Sequence, residues 1–109
     1  MAYDKQLAMQ VRSALSSQQS LTEREMFGGI GFMIAGNMAC GVNGDDLIVR
    51  VGPDAYEQAL AQEGVKEFDM TGRPMRGWVI VSDSKMSTDA ELNAWVHKGA
   101  LFARTLPAK

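Results

Sequence analysis

The stretch Met26–Val51 constrains the fold more than any other part of this chain. It reads MFGGIGFMIAGNMACGVNGDDLIVRV, in which apolar segments of strand length are separated by very short polar or glycine-containing turns. Ile30, Phe32 and Ile34 alternate with smaller residues, and this two-residue period is typical of a β-strand. Consecutive strands joined by such short turns pair with their neighbours, so the stretch predicts an antiparallel meander.

The turns of the meander are marked by glycine and asparagine. The pairs Gly36-Asn37 and Asn43-Gly44 are typical of hairpin turns, because both residue types tolerate the backbone angles that tight hairpins require. We interpret residues 23–27 as a further strand that precedes the meander. The four predicted strands form the centre of the domain.

Helices are predicted on both sides of the meander. Apolar residues at helical spacing predict helices over residues 4–18 and 53–64 and a last helix that begins at Ser87 or Thr88, with a capping-box sequence, and is stopped by Pro107. Residues 65–76 are predicted to form a connector, and residues 77–81 a strand that begins with a mostly buried tryptophan. The predicted fold class is α+β, one antiparallel β-sheet with helices packed on it in the order α-β-β-β-β-α-β-α. We expect the first and last helices to pack together on one face.

Length and composition limit the function classes. The 109 residues suit a single domain over 1–109, and the net charge of −2 disfavours a protein that holds nucleic acid through its phosphates. Cys40 is the single cysteine and His97 the single histidine, which excludes an intrachain disulfide and zinc sites built from several such ligands. No segment has the composition of a signal peptide or a membrane span, so we expect a cytoplasmic protein.

No pattern in the sequence indicates a catalytic, cofactor or metal site. Gly29-Ile30-Gly31 matches half of a dinucleotide-binding fingerprint, but a strand follows it instead of a helix. Cys40 alternates with Met38 and Val42, which predicts an inert core thiol, and a Cys40 nucleophile with His97 as its base is the alternative. The eight methionines are interpreted mainly as core fillers, with an adaptable contact surface as the alternative. We expect that the chain is not an enzyme and that it has no cofactor.

The segment FDMTGRPMRGW is the least ordinary part of the chain. It places Arg73 and Arg76 beside a tryptophan and around a proline turn. Arginine and tryptophan are enriched where proteins contact partners, so we consider these two arginines, together with Arg50, the candidate partner-binding residues. The alternative is structural, with Arg73 and Arg76 paired to local acids such as Asp69.

The sequence resembles the TfoX/Sxy N-terminal domain family, named for bacterial regulators of natural competence. The resemblance is carried in order by MFGGIGFMIAGNMACGV (26–42), LIVRVGPDAYEQAL (47–60), FDMTGRPMRGWV (68–79) and LFARTLP (101–107). It implies an α+β fold similar to that of small secretion-chaperone-like domains, which often dimerise, and it implies no catalytic residues. The named regulators carry a second, C-terminal domain, so this chain is expected to be a stand-alone member.

Three function classes follow. The first is a non-enzymatic regulatory module that acts through protein contacts, with transcriptional regulation as its setting and an unknown protein or a second copy of the chain as its partner. The second is a nucleic-acid-binding protein, which would require Arg24, Arg50, Arg73 and Arg76 to share a face. The third is a small enzyme or ligand-binding domain, which would require an enclosed polar pocket.

Overall fold

The computed structural model describes residues 3–26, 28–68, 75–82 and 88–108. Within these residues the six strands form one sheet, in the spatial order β1-β2-β3-β4-β6-β5, with every neighbouring pair antiparallel. The elements are α1 (Lys5–Ala14), β1 (Leu21–Met26), β2 (Gly29–Ile34), β3 (Asn37–Asn43), β4 (Asp46–Arg50), α2 (Tyr56–Leu60), β5 (Val65–Glu67), β6 (Trp78–Val81) and α3 (Asp89–Arg104). The predicted α+β class and the order of its elements are confirmed.

A short strand adds to the predicted order. Residues 65–67, predicted as part of a connector, form β5 and pair with β6 at the edge of the sheet. Val65 lies opposite Val81 and both are buried, so an apolar contact supports the backbone pairing of this strand with β6. A three-residue strand is too short to show alternation in a sequence.

Side-chain caps set the start of the two longer helices. The Asp4 carboxylate accepts hydrogen bonds from the backbone N–H groups of Gln6 and Leu7, at 2.8 and 3.1 Å, which satisfies donors that a helix leaves free at its first turn. Thr88 accepts from the N–H of Glu91 at 3.1 Å, so the predicted cap of the last helix is confirmed. Helix α1 ends at Ala14 instead of residue 18 and is shorter than predicted.

The first hairpin turn lies one residue earlier than predicted. Ala35 and Gly36 occupy the turn with φ of 52° and 84°, the positive values of a two-residue hairpin loop. Asn37 therefore begins β3, where it is 2% exposed and its amide donates to the carbonyl of Pro107 at 2.9 Å. The asparagine that we assigned to the turn instead holds the segment after α3 against the sheet.

All three helices contribute buried residues to one core, on the face of the sheet that we call the inner face. Helices α1 and α3 contact each other and the central strands, which confirms that they pack together on one face. Gly99 of α3 lies so close to the sheet that a Cβ atom there would be 2.3 Å from the carbonyl oxygen of Ala39. The strand residues of the core are Ile30, Phe32, Ile34, Ala39, Cys40, Val42, Leu47, Val49, Val65, Val79 and Val81.

An irregularity in the pairing of β2 with β3 changes the predicted alternation. Phe32 lies opposite Cys40, but Met33 lies opposite Met38, so Ala39 is an extra residue in β3. A β-bulge of this kind turns two successive side chains toward the same face. Ala39 and Cys40 are accordingly both buried in the core. Met38 lies on the opposite face, and its predicted place beside Cys40 and Val42 is wrong.

Candidate functional site

The face of the sheet opposite the core, which we call the outer face, carries one continuous row of residues across all six strands. The register places them side by side in the order Arg24, Gly31, Gly41, Ile48, Ile80 and Lys66. Directly opposed residues in an antiparallel sheet share a face, so the row has an apolar middle with a cation at each end. Arg24 and Lys66 are exposed, whereas Ile48 is only 6% exposed.

The outer face also carries two pairs of larger side chains. Met33 lies opposite Met38 and Arg50 lies opposite Trp78, and all four residues are half-buried. The end of the Met38 side chain lies over Gly41, where it fills the space that a Cβ atom would occupy. Two glycines and two flexible methionines therefore make the β2–β3 part of this face low and adaptable.

Strand charges are divided between the two faces. Glu23 and Glu25 of β1 lie opposite core residues, and both accept hydrogen bonds from side chains on the inner side of the sheet. Arg12 of α1 donates two hydrogen bonds to Glu23, one of them 2.7 Å long, and this hydrogen bonding lowers the pKa of the Glu23 carboxyl. The Tyr3 hydroxyl donates to Glu25 at 3.4 Å. The acids of β1 are thus engaged on the inner side, and its arginine lies on the outer face.

Arg50 lies at the end of β4 between two aromatic rings. Its guanidinium carbon is 5.0 Å from the centroid of the Trp78 ring and 5.3 Å from that of Phe102. Phe102 belongs to α3 and approaches this position because Gly52, with a φ of 90°, leaves room that a Cβ atom would take from the ring. Phe68 extends the cluster, with its ring centroid 5.9 Å from that of Trp78.

The guanidinium of Arg50 keeps its hydrogen-bonding capacity. Among the residues that the structure describes, no carboxylate lies within ion-pair distance of it. An arginine has five N–H donors in a planar fork that matches a carboxylate or a phosphate. Two flanking rings restrict the side chain, so less conformational entropy is lost when an anion binds.

Of the two other predicted site residues, Arg76 and Arg73, the structure describes only Arg76. Arg76 is exposed, with its guanidinium 5.6 Å from the Tyr56 ring centroid and 3.9 Å from the Glu57 carboxylate. Its neighbours belong to α2, so Arg76 does not share the outer face with Arg24 and Arg50. Arg73 and its suggested partner Asp69 lie outside the described residues.

The interpretation of methionines as core fillers is wrong for every methionine whose side chain is described. Met33, Met38 and Met75 are half-buried, Met9 is 63% exposed, and none of the four belongs to the core. Alternation alone does not separate a core methionine from a surface one here, because Met33 and Met38 are next to core residues in the sequence. Their position favours the alternative, an adaptable contact surface.

The two residues considered for catalysis, Cys40 and His97, differ in burial. Cys40 is 0% exposed in the core, and burial raises the pKa of its thiol to about 12. His97 lies on an exposed part of α3. Gly31 lies within β2, in agreement with the strand prediction. Gly29 also belongs to β2, one residue before the predicted strand begins, and a Cβ atom on Gly29 would be 2.3 Å from the carbonyl oxygen of Val42. Close backbone packing explains that glycine.

Two open depressions of about 340 Å³ each occur among the described residues. One lies between α1 and α3, where Leu15, Val96 and His97 are among its lining residues. The other lies beside α2 and includes Gln58, Gln62 and Lys98. No group of three or more histidine, cysteine or acidic side chains in the described ranges is arranged to hold a metal ion. Within those ranges, the helices are also too short or too polar to cross a membrane.

These features define a small α+β domain with one face covered by helices and the other bearing cations around apolar side chains. The chain belongs to the TfoX N-terminal domain family, whose model matches residues 13–103. The match spans most of the 109 residues and supports a competence-regulator-like module. A search of curated proteins and a search of solved structures each returned no significant match.

Proposed function

We propose that this chain is a non-enzymatic regulatory module that acts by binding another protein, in the cytoplasm and within transcriptional regulation. The observation that carries the proposal is Arg50, held between Trp78 and Phe102 without a carboxylate partner among the described residues. Restrained arginine and tryptophan side chains at a surface are typical of the residues that dominate protein interfaces. Membership of a family named for competence regulators supports the regulatory setting.

Arg76 is the second residue that we assign to partner binding. It is exposed, and its contacts with Tyr56 and Glu57 hold it loosely, since an exposed ion pair at 3.9 Å contributes little. A partner carboxylate could therefore replace Glu57 at small cost. Arg73 stays a prediction of the same kind.

Capture from the native cell extract tests the proposal. Immobilised wild-type protein is compared with the double variant Arg50→Ala/Arg76→Ala and with the control Lys5→Ala/Arg104→Ala, which removes the same charge from exposed helix positions. We expect a protein that the wild type and the control retain and that the Arg50/Arg76 variant loses. Equal retention by all three forms would contradict the assignment of these arginines.

Nucleic-acid binding is a second candidate, favoured by one observation. Arg24 and Arg50 share the outer face, as that function requires, although Arg76 does not. The net charge of −2 opposes it, because phosphate-driven binding needs a surplus of cations. Retention of the captured partner after nuclease treatment distinguishes the two candidates.

A further inference from the structure

We infer that the outer face binds an amphipathic helix of a partner protein, one whose apolar stripe is flanked on both sides by carboxylates. The inference rests on the proposed function and names the chemistry of the partner. Its basis is the row Arg24, Gly31, Gly41, Ile48, Ile80 and Lys66. The cations at the two ends of this row are complementary to negatively charged groups, and the residues between them are complementary to apolar side chains.

The dimensions of the row fit a helix laid along the strands. Neighbouring strands are about 4.8 Å apart, so the positions of Arg24 and Lys66 each lie about 12 Å from the line between Gly41 and Ile48. A helix with its side chains has a radius of about 5–6 Å. The remaining distance on each side is one that a long arginine or lysine side chain spans, which brings both cations to the flanks of a helix centred on this line.

The floor of the face suits an apolar stripe. Gly31 and Gly41 allow a close approach on β2 and β3, and Ile80 and Trp78 provide apolar area on β6. Met33 and Met38 can rearrange around a ligand, because methionine has a flexible and polarisable side chain. Among the described elements, α1, α2 and α3 bury their core residues on the other side of the sheet, and α3 contacts the outer face through Phe102 at Arg50.

Charge selects the partner. The strand residues that the register places on the outer face include the cations Arg24, Arg50 and Lys66 and the acid Asp46, although the chain as a whole has a net charge of −2. A carboxylate-flanked helix meets both the cations and the apolar floor. A nucleic acid would meet the cations, and unpaired bases would stack on Trp78, but the aliphatic middle of the row offers it no matching surface.

Binding of designed peptides tests the inference. The probe is a fluorescein-labelled synthetic helix of about 18 residues, or five turns, with a leucine stripe flanked by glutamates. One control peptide has the same composition in scrambled order, a second has lysine in place of glutamate, and a labelled single-stranded oligonucleotide is the third probe. We expect fluorescence anisotropy to show binding of the glutamate helix that weakens with salt, and weaker binding of all three controls.

Charge-reversed variants of the protein locate the binding. In Arg24→Glu/Lys66→Glu, affinity for the glutamate helix should fall about tenfold or more, since two attractive rim contacts become repulsive. The control Lys5→Glu/Arg104→Glu has the same net charge change at exposed positions of α1 and α3, and it should bind as the wild type does. Equal losses in both variants would mean attraction by overall charge and would overturn the inference.

Methionine methyl NMR gives a second readout that needs no variant. Met33 and Met38 lie on the outer face, whereas Met9 is 63% exposed on α1 and reports on the helical side. The glutamate helix should shift the methyl signals of Met33 and Met38 and leave that of Met9 in place. A shift of Met9 alone, absence of peptide binding, or tighter binding of the oligonucleotide would each overturn the inference. Loss of captured partner in Arg50→Ala/Arg76→Ala would still support the proposed function in those cases.

Discussion

The two faces of the sheet are built from the same strands but differ in every property that matters for function. On the inner face, Phe32, Cys40, Leu47, Val49 and Val79 have no measurable exposure, and the helices cover them. On the outer face, Ile48 is 6% exposed, but Met33, Met38, Ile80 and Trp78 are half-buried, and charged groups surround them. Burial stabilises the fold on the first face, and accessibility leaves the second available for contact with another molecule.

The comparison also shows how alternation distributes chemistry. Along β4, Leu47 and Val49 point into the core while Ile48 and Arg50 point away from it. A strand with apolar residues on both faces is typical of a sheet that is covered on both sides. The described helices cover one side only, and this difference is the physical motive for placing a partner on the other.

The largest expected contrast concerns thiol reactivity on the two faces. Cys40 is buried and its pKa is raised to about 12, so native thiolate is scarce at pH 8 and labelling by a disulfide reagent must await unfolding. We expect native protein to react at least about a thousandfold more slowly than protein in denaturant. The variant Met33→Cys/Cys40→Ala carries its thiol on the outer face and should react rapidly. Rapid labelling of native wild-type Cys40 would contradict the described core.

The sign of the pH dependence follows from the same thiol. Its folded pKa lies above its unfolded value, so it contributes stability below the unfolded pKa, and that stability is lost as the pH rises from about 9 toward 12. The wild type should therefore lose more of its free energy of unfolding in this window than Cys40→Ala does. Parallel curves for the two proteins would show that the thiol ionises in the folded state.

Adjacent residues of β2 provide the next contrast. Phe32 has no exposure and belongs to the core, whereas Met33 is half-buried on the outer face. Truncation of a buried phenylalanine costs about 3–5 kcal/mol, so Phe32→Ala should lose stability of that order in urea unfolding. Met33→Ala should lose less than about 1 kcal/mol. Similar losses for both would mean that the outer face is packed as tightly as the inner one.

The two tryptophans separate the faces in a single spectroscopic experiment. Trp95 of α3 is 5% exposed in the core, while Trp78 keeps a minor part of its surface exposed, which agrees with the expectation that Trp78 is mostly buried. Trp95→Ala should cost about 3–5 kcal/mol and Trp78→Ala about 2 kcal/mol. In each single-tryptophan variant, iodide should quench the fluorescence of Trp78 more than that of Trp95. The reverse order of quenching would contradict the placement of both rings.

Gly99→Ala tests how closely α3 lies on the inner face. Helix propensity alone would make this change stabilising by about 1 kcal/mol. The new methyl group would instead meet the Ala39 carbonyl, so we expect a loss of about 1–3 kcal/mol. Asn93→Ala on the exposed side of the same helix is the control and should be neutral or slightly stabilising. A stabilised Gly99→Ala protein would mean that α3 lies farther from the sheet.

Local signals in the sequence predicted the inner face well. The capping residue Thr88, the alternation around Phe32 and the apolar positions of α3 each depend on neighbours within one turn or one strand. Met38 and Asn37 were misplaced because a bulge and a turn shifted by one residue change which face a side chain takes, and neither leaves a mark in the alternation.

The candidate site required information that no local pattern contains. Arg24 and Lys66 belong to one row only because β5 is a strand at the far edge of the sheet. A strand of three residues is too short to be predicted from alternation in the sequence. Phe102 reaches Arg50 from a helix 52 positions along the chain, through space left by Gly52. Residue types indicated Arg50 and Arg76 as contact residues, but their surroundings follow from strand order and helix packing.

The smallest expected effects on stability are those of the two described site arginines. Arg50 contacts two rings and Arg76 contacts one ring and a distant carboxylate, and such contacts at accessible positions contribute about 0.5–1 kcal/mol each. Arg50→Ala should therefore lower the free energy of unfolding by about 1 kcal/mol, and Arg76→Ala by about 0.5 kcal/mol.

The same two variants separate a binding role from a structural one. If the arginines bind a partner, the double variant loses partner capture while its unfolding midpoint in urea stays near that of the wild type. If they hold the fold, the loss of stability exceeds about 2 kcal/mol, which places them with the inner-face residues, and their assignment as contact residues is wrong. Glu57→Gln is the matched control, because it removes the ion pair and leaves Arg76 over the Tyr56 ring. Capture should survive this change, since a free guanidinium at this position is what a partner carboxylate requires.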